Sequence, residues 1–144
     1  NNSKRKIKMN YEFEVVGEVV GKERPRVNMN TGRVYTPNKT KDYEALIQQY
    51  FKLKYPRHEV LTGRIYIDII AYLKIPASTS KTKKEQMLEN IISPTKKPDV
   101  DNIAKSILDA LNGFVFKDDN QVSKISVEKR YALEEKIIVK VIEY

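Results

Sequence analysis

The segment KPDVDNIAKSILDALNGFVFKDDNQV, residues 97–122, holds most of the side chains whose types and spacing could do chemistry. Asp99 and Asp101 are two apart, so an extended chain presents both carboxylates on one side, just where a helical pattern begins. Asp101 and Lys105 are four apart and become neighbours on the surface of that helix. Two close carboxylates repel at neutral pH unless a cation lies between them. Mg²⁺ is the ion that takes one or two carboxylates and completes its shell with water and phosphate oxygens. A third carboxylate is expected from Asp118 or Asp119 if the chain folds back beside the helix. Such a site suits phosphodiester hydrolysis, where a metal activates water and offsets charge on the leaving oxygen, and a nearby lysine adds to that stabilisation.

The same residues admit a plainer account. Asp101 could cap the helix, Asp101 with Lys105 and Lys105 with Asp109 could be surface ion pairs, and Asp118-Asp119-Asn120 is an ordinary turn composition. Spacing alone leaves both accounts open.

The elements that must position this segment are legible from periodicity. Tyr11, Phe13 and Val15 alternate with glutamates as a half-buried strand running to about Val20. GKERPRVNMNTGRVYTP then reads as a basic loop or irregular hairpin. A helix capped by Thr40 is expected up to Pro56, followed by a strand over residues 64–73 and a basic helix over residues 82–92. From Asn102 to Leu111 the apolar Ile103, Ala104, Ile107, Leu108, Ala110 and Leu111 fill one arc of a helix. Asn102, Lys105, Ser106 and Asp109 fill the other, and Asn112-Gly113 ends it. Residues 114–116 read as a short strand, and residues 122–131 and 136–144 as two strands able to pair as a hairpin. These elements are expected to form one domain over residues 9–144, behind a flexible basic tail of residues 1–8.

Composition narrows the function. The 144 residues carry a net charge of +8, which favours a polyanionic partner, although Lys4, Arg5, Lys6 and Lys8 of the tail supply part of it. The chain has no cysteine, which excludes disulfides and thiolate chemistry and suits a reducing compartment. No apolar run is long enough to cross a bilayer, so a cytoplasmic protein without membrane contact is expected. Lys22, Arg24, Arg26 and Arg33, joined by Lys97 beside Asp99, are phosphate contacts if the partner is a nucleic acid and otherwise a solvated loop. Lys81, Lys83, Lys84 and Lys96 form either a second DNA-facing stripe or a solvated face. Of the nine tyrosines most fall at packing positions, with Tyr35 the exception, and the single histidine, His58, receives no role.

The ordered string Lys97-Pro98-Asp99, Asp101-Asn102, Lys105, Asp109-Ala110-Leu111-Asn112-Gly113, Asp118-Asp119 and Gln121-Val122 resembles the signature of the RusA family of Holliday junction resolvases, small bacterial and phage endonucleases that act on branched DNA. Gly21-Lys22, Arg24-Pro25-Arg26 and Tyr35-Thr36-Pro37 resemble a basic N-terminal segment of many members, though not the Pro-rich opening of the best-known branch. The resemblance implies Asp99, Asp101 and Asp119 as metal ligands with Asp118 a further candidate, Lys105 as the essential lysine, and Mg²⁺ as cofactor. It also implies an α/β fold in the α+β sense, a mixed sheet packed with two to three helices, and a homodimer that makes paired symmetric nicks across a four-way junction. Asp109 is expected behind the ligands, pairing with Lys105. A less specific branched-DNA nuclease and an inactive DNA-binding module of the same fold are the alternatives.

Overall fold

The computed structural model describes residues 6–144. Lys4 and Arg5 of the expected tail lie outside the described residues, and the Lys8 N–H already donates to the Glu143 carbonyl at 2.8 Å.

Strand β1 (Met9–Val16) follows from the Tyr11/Phe13/Val15 alternation, all three side chains being buried. It stops short of Val20, because the chain turns away at Gly17. The basic segment is a two-stranded hairpin, β2 (Arg26–Val27) with β3 (Val34–Tyr35). Helix α1 (Asn38–Lys54) begins earlier than expected. Pro37 precedes it without any side-chain cap, and Thr40, the expected cap, is a buried residue of the first turn that accepts the Glu23 N–H at 3.4 Å. The helix ends one residue before Tyr55-Pro56, as proline requires.

Strand β4 (Ile65–Lys74) buries Ile65, Ile67, Ile69, Ala71 and Leu73. Short helix α2 (Lys81–Leu88), capped by Ser80, buries none of its residues, so its lysines are exposed, as either of the expected alternatives requires. Helix α3 (Val100–Leu111) turns Ile103, Ile107, Ala110 and Leu111 into the core, each at most 1% exposed. Ser106 departs from the polar arc: it is buried, and its hydroxyl donates to the Val20 carbonyl at 2.9 Å. Gly113, at φ +73°, supplies the left-handed residue after the helix. Residues 114–116 form no strand but a tight turn with single bridges, the Leu61 N–H donating to the Val115 carbonyl at 2.9 Å. Val115 and Phe116 are fully buried there, so their apolar character serves packing and not a ladder.

After a single 3₁₀ turn over Asp119–Gln121 come β5 (Val122–Ala132) and β6 (Lys136–Glu143). They do not pair as the expected hairpin. The sheet order is β1-β6-β4-β5, with β4 between them, parallel to β5 and antiparallel to β6. Glu135 makes this crossing possible. Its carboxylate accepts the N–H groups of Val19 at 2.9 Å and Lys74 at 3.2 Å, and its carbonyl that of Gly17 at 3.0 Å, so the connection over the end of β4 leaves few polar groups unpaired.

Helices α1 and α3 pack on one face of the sheet, and edge-to-face contacts of Phe51 with Tyr11 and Phe13, both at 5.2 Å, join α1 to β1. His58 belongs to the same cluster, 4.9 Å from the Phe51 ring, with its Nε2 2.8 Å from the Phe114 carbonyl. No helix among the described residues is long and apolar enough to cross a membrane.

Candidate functional site

The two ends of α3 treat their aspartates differently. At its N-terminus Asp99 holds the cap position in extended backbone, yet its carboxylate accepts no capping hydrogen bond. Asp101, in the first turn, accepts only the Asn102 N–H at 2.9 Å. Neither aspartate therefore does the capping that the plainer account required. Both are exposed, and both line a cleft of about 810 Å³ whose lining includes the basic segment from Lys22 to Arg26 together with Lys39 and Lys97.

That basic segment is fastened to α3 at successive residues. The Val20 carbonyl accepts Ser106, and the Lys22 N–H donates to the Asn102 carbonyl at 2.9 Å. Gly21 lies so close to the helix that a Cβ there would meet Pro98 Cβ at 2.8 Å and Asn102 Cβ at 3.0 Å. Only glycine permits that approach. The Lys22 ammonium then reaches Glu44 at 2.8 Å and Asp109 at 3.1 Å. Burial works against its charge, but hydrogen bonds and Coulomb attraction from Glu44 and Asp109 outweigh it and hold the Lys22 pKa above the ordinary lysine value.

Lys22, expected to meet phosphate, is therefore a half-buried strut already joined to two carboxylates. Asp109 pairs with it instead of with Lys105. Lys105 is exposed one turn on from Asp101, and among the described residues it forms no ion pair. Arg24 and Lys97 are exposed in the cleft lining. Arg26 is there too but shares its charge with Glu23 at 3.1 Å, and Arg33 lies in the β2–β3 turn outside it.

At the other end of α3, about 18 Å away by the rise of 12 helical residues, the turn carrying Asp118 and Asp119 docks on Asn112. The Asp119 N–H donates to the Asn112 side-chain oxygen at 3.1 Å. Asp118 forms a reciprocal cap with Gln121, and its carboxylate accepts the Asn120 N–H at 3.0 Å. A hydrogen bond shared with Asp118 is the main reason the exposed Asp119 carboxyl titrates above its ordinary range, with some loss of hydration and the charges of Asp118 and Asp109 adding to it. Among the described residues no group of three or more Asp, Glu, His or Cys side chains is placed to hold a metal ion. One chain thus brings Asp99 and Asp101 to one cleft and leaves Asp119 apart from them. Two carboxylates with no soft donor still fit Mg²⁺, an ion that takes the rest of its shell from water and phosphate.

Three residues that shape this region went unread in the sequence. Lys39 lines the cleft but pairs with Glu18 at 3.0 Å. Glu135 anchors the start of the basic segment through Val19. The Lys129 ammonium donates to the carbonyls of Lys96 at 2.7 Å and Pro98 at 3.2 Å, just ahead of Asp99. A signal for Lys129 was present: it interrupts the inward alternation Ile125, Val127, Tyr131 of β5.

Comparison with known proteins reaches well beyond the motif. A family model described as Endodeoxyribonuclease RusA matches residues 17–142. A protein of Bacillus subtilis (strain 168), titled uncharacterized protein YqaN, is 37% identical over 133 residues, spanning 89% of this chain and 92% of its own length.

Proposed function

The chain belongs to the RusA family of endodeoxyribonucleases, and from that premise we propose that it resolves four-way DNA junctions by paired symmetric nicks, using Mg²⁺ held by Asp99 and Asp101. The observation that carries the reading is the pair itself: two exposed carboxylates at the head of α3, unused as caps, facing a cleft partly lined by basic residues. When bound, the cation would supply an activated water and offset the charge that develops on the leaving oxygen.

The protein's own residues do the rest. Arg24 and Lys97 offer charge to the DNA backbone within the same cleft. Lys105, without a carboxylate partner, is free to turn its ammonium towards the phosphate being cut. Asp119 enters on the motif alone, and reaching the Asp99–Asp101 pair requires movement of its turn or presentation by a second subunit. A two-fold homodimer suits a junction whose two cut strands are equivalent, and its setting would be the cytoplasm of a bacterial cell. A second reading, a branched-DNA nuclease of looser specificity, draws on the ion pairs of Lys22, Arg26 and Lys39, which leave Arg24 and Lys97 as the basic residues of the cleft without an ion pair among the described residues.

The test incubates the protein with labelled four-way junctions and with linear duplexes of matched sequence, in Mg²⁺ or EDTA, beside Asp101→Asn. Symmetric nicks confined to junctions, lost in EDTA and in the variant, are expected. Equal cutting of linear DNA would replace this reading with the looser nuclease, and junction binding without cutting would replace both with an inactive DNA-binding module.

A further inference from the structure

Lys129 occupies a position where the sheet asks for an apolar side chain. It is paired in register with Ala71, on the side of β4 that is buried beneath the helices. Its stem can lie on that surface while the ammonium reaches out. No carboxylate pairs with the ammonium among the described residues. It donates instead to two backbone carbonyls, Lys96 at 2.7 Å and Pro98 at 3.2 Å. Charge-assisted bonds of this kind are stronger than those between neutral groups, and these two flank Lys97 and end one residue before Asp99.

We propose that Lys129 is a positioning residue for the Asp99–Asp101 pair, fixing from the sheet the loop that delivers Asp99 to the head of α3. Gly21 bounds that loop from the opposite partner, packing against Pro98 and Asn102. Held on two sides, the loop presents the Asp99 carboxylate to the cleft in one direction. The inference rests on the reading of this pair as a divalent-cation site.

The sign of the effect separates positioning from simple charge. An ammonium near a cation repels it, so if Lys129 acted only through space, neutralising it would tighten metal binding. If it acts by holding the carbonyls, neutralising it loosens the pair and weakens binding, by the roughly 10–100-fold typical of groups that orient metal ligands.

The experiment titrates Mn²⁺ into wild type, Asp101→Asn, Lys129→Met and Lys129→Arg without DNA, following free Mn²⁺ by its paramagnetic resonance. Cleavage is then measured against Mg²⁺ concentration and against junction concentration. Wild type is expected to bind and Asp101→Asn not to. Lys129→Met should need roughly tenfold more metal, recover its cleavage rate at high Mg²⁺ and keep its KM for DNA. Lys129→Arg, whose guanidinium can donate to two carbonyls, should behave like wild type. Should Lys129→Met fail to fold, Lys129→Leu, which also lacks a donor, is read in the same way. Metal binding by Lys129→Met as tight as wild type, or tighter, overturns the proposal while leaving the cation site standing. Equal Mn²⁺ binding by wild type and Asp101→Asn removes the cation site, and the role of Lys129 with it.

Discussion

The head and the tail of α3 carry the same residue type and use it in opposite ways. At the tail, Asp118 caps a turn and locks with Gln121, whose amide also donates to the carbonyls of Leu61 at 3.0 Å and Gly63 at 2.9 Å. That carboxylate holds the fold together. At the head, Asp99 occupies a cap position and caps nothing, while two other segments, residues 20–22 through backbone and β5 through the Lys129 ammonium, hold its surroundings in place. A carboxylate left idle inside a well-fixed frame is available to a ligand, whereas one already bonded to its own backbone is less so. The proposed function draws on this contrast in placing the chemistry at the head of α3, a distinction that a count of aspartates would miss.

Substitutions can break or sharpen this contrast. The largest effect is expected for Asp101→Asn, with a fall in the cleavage rate on the order of 10²–10³ or more and little change in melting temperature, since its carboxylate bonds only to the next N–H. Single-turnover kinetics with a thermal melt on the same sample checks both. Asp119→Asn tests separation directly. A loss of activity as large as that of Asp101→Asn would mean that the two ends act as one site, and the contrast drawn above would fail.

Gly21→Ala comes next. The added methyl meets carbon atoms of Pro98 and Asn102 that are fixed close to the backbone, so the segment must shift by some tenths of an ångström. A misplacement of about 1 Å at a reacting centre can cost about 10²-fold in rate, so this smaller shift should cost less than that, and circular dichroism should show the fold intact.

Lys22→Met removes an ammonium bonded to Glu44 and Asp109 and is expected to cost about 1.5–3 kcal/mol, read from urea unfolding. Because the folded-state pKa of Lys22 is raised, its contribution is fully present below the ordinary lysine value of 10.5 and is lost as pH rises through the folded value. The stability gap between wild type and Lys22→Met should therefore hold at pH 8 and narrow above pH 10.5. A gap that widened with alkali would contradict the ion cluster. Smallest is Ser106→Ala, which loses one hydrogen bond to Val20 and should cost about 1 kcal/mol, a drop of roughly 2–4 °C in melting temperature.

Much of this was readable in the sequence, and the exceptions share a cause. Alternation in β1 and β4 and the apolar arc of α3 are local signals, and all three elements formed with the expected faces buried. The pairing of β5 and β6 was not local. Three residues between two strands suggest a hairpin, whereas β4 pairs with both strands and lies between them, an insertion that no local pattern encodes. The site divides in the same way. The spacing of Asp99 and Asp101 placed both at the head of a helix, but the distance to Asp119 depends on where a turn docks, which no spacing encodes. Lys22 looked like a phosphate contact because its partners, Glu44 and Asp109, lie far along the chain.

The central claim is that the carboxylate idle in the fold is the one that works. Asp99→Asn and Asp118→Ala, measured side by side for Mg²⁺-dependent junction cleavage and for melting temperature, test it most directly. Asp99→Asn is expected to lose cleavage and keep its melting temperature, while Asp118→Ala should melt lower by the equivalent of about 1 kcal/mol, the usual worth of a cap. Cleavage by Asp99→Asn at the wild-type rate would contradict the account.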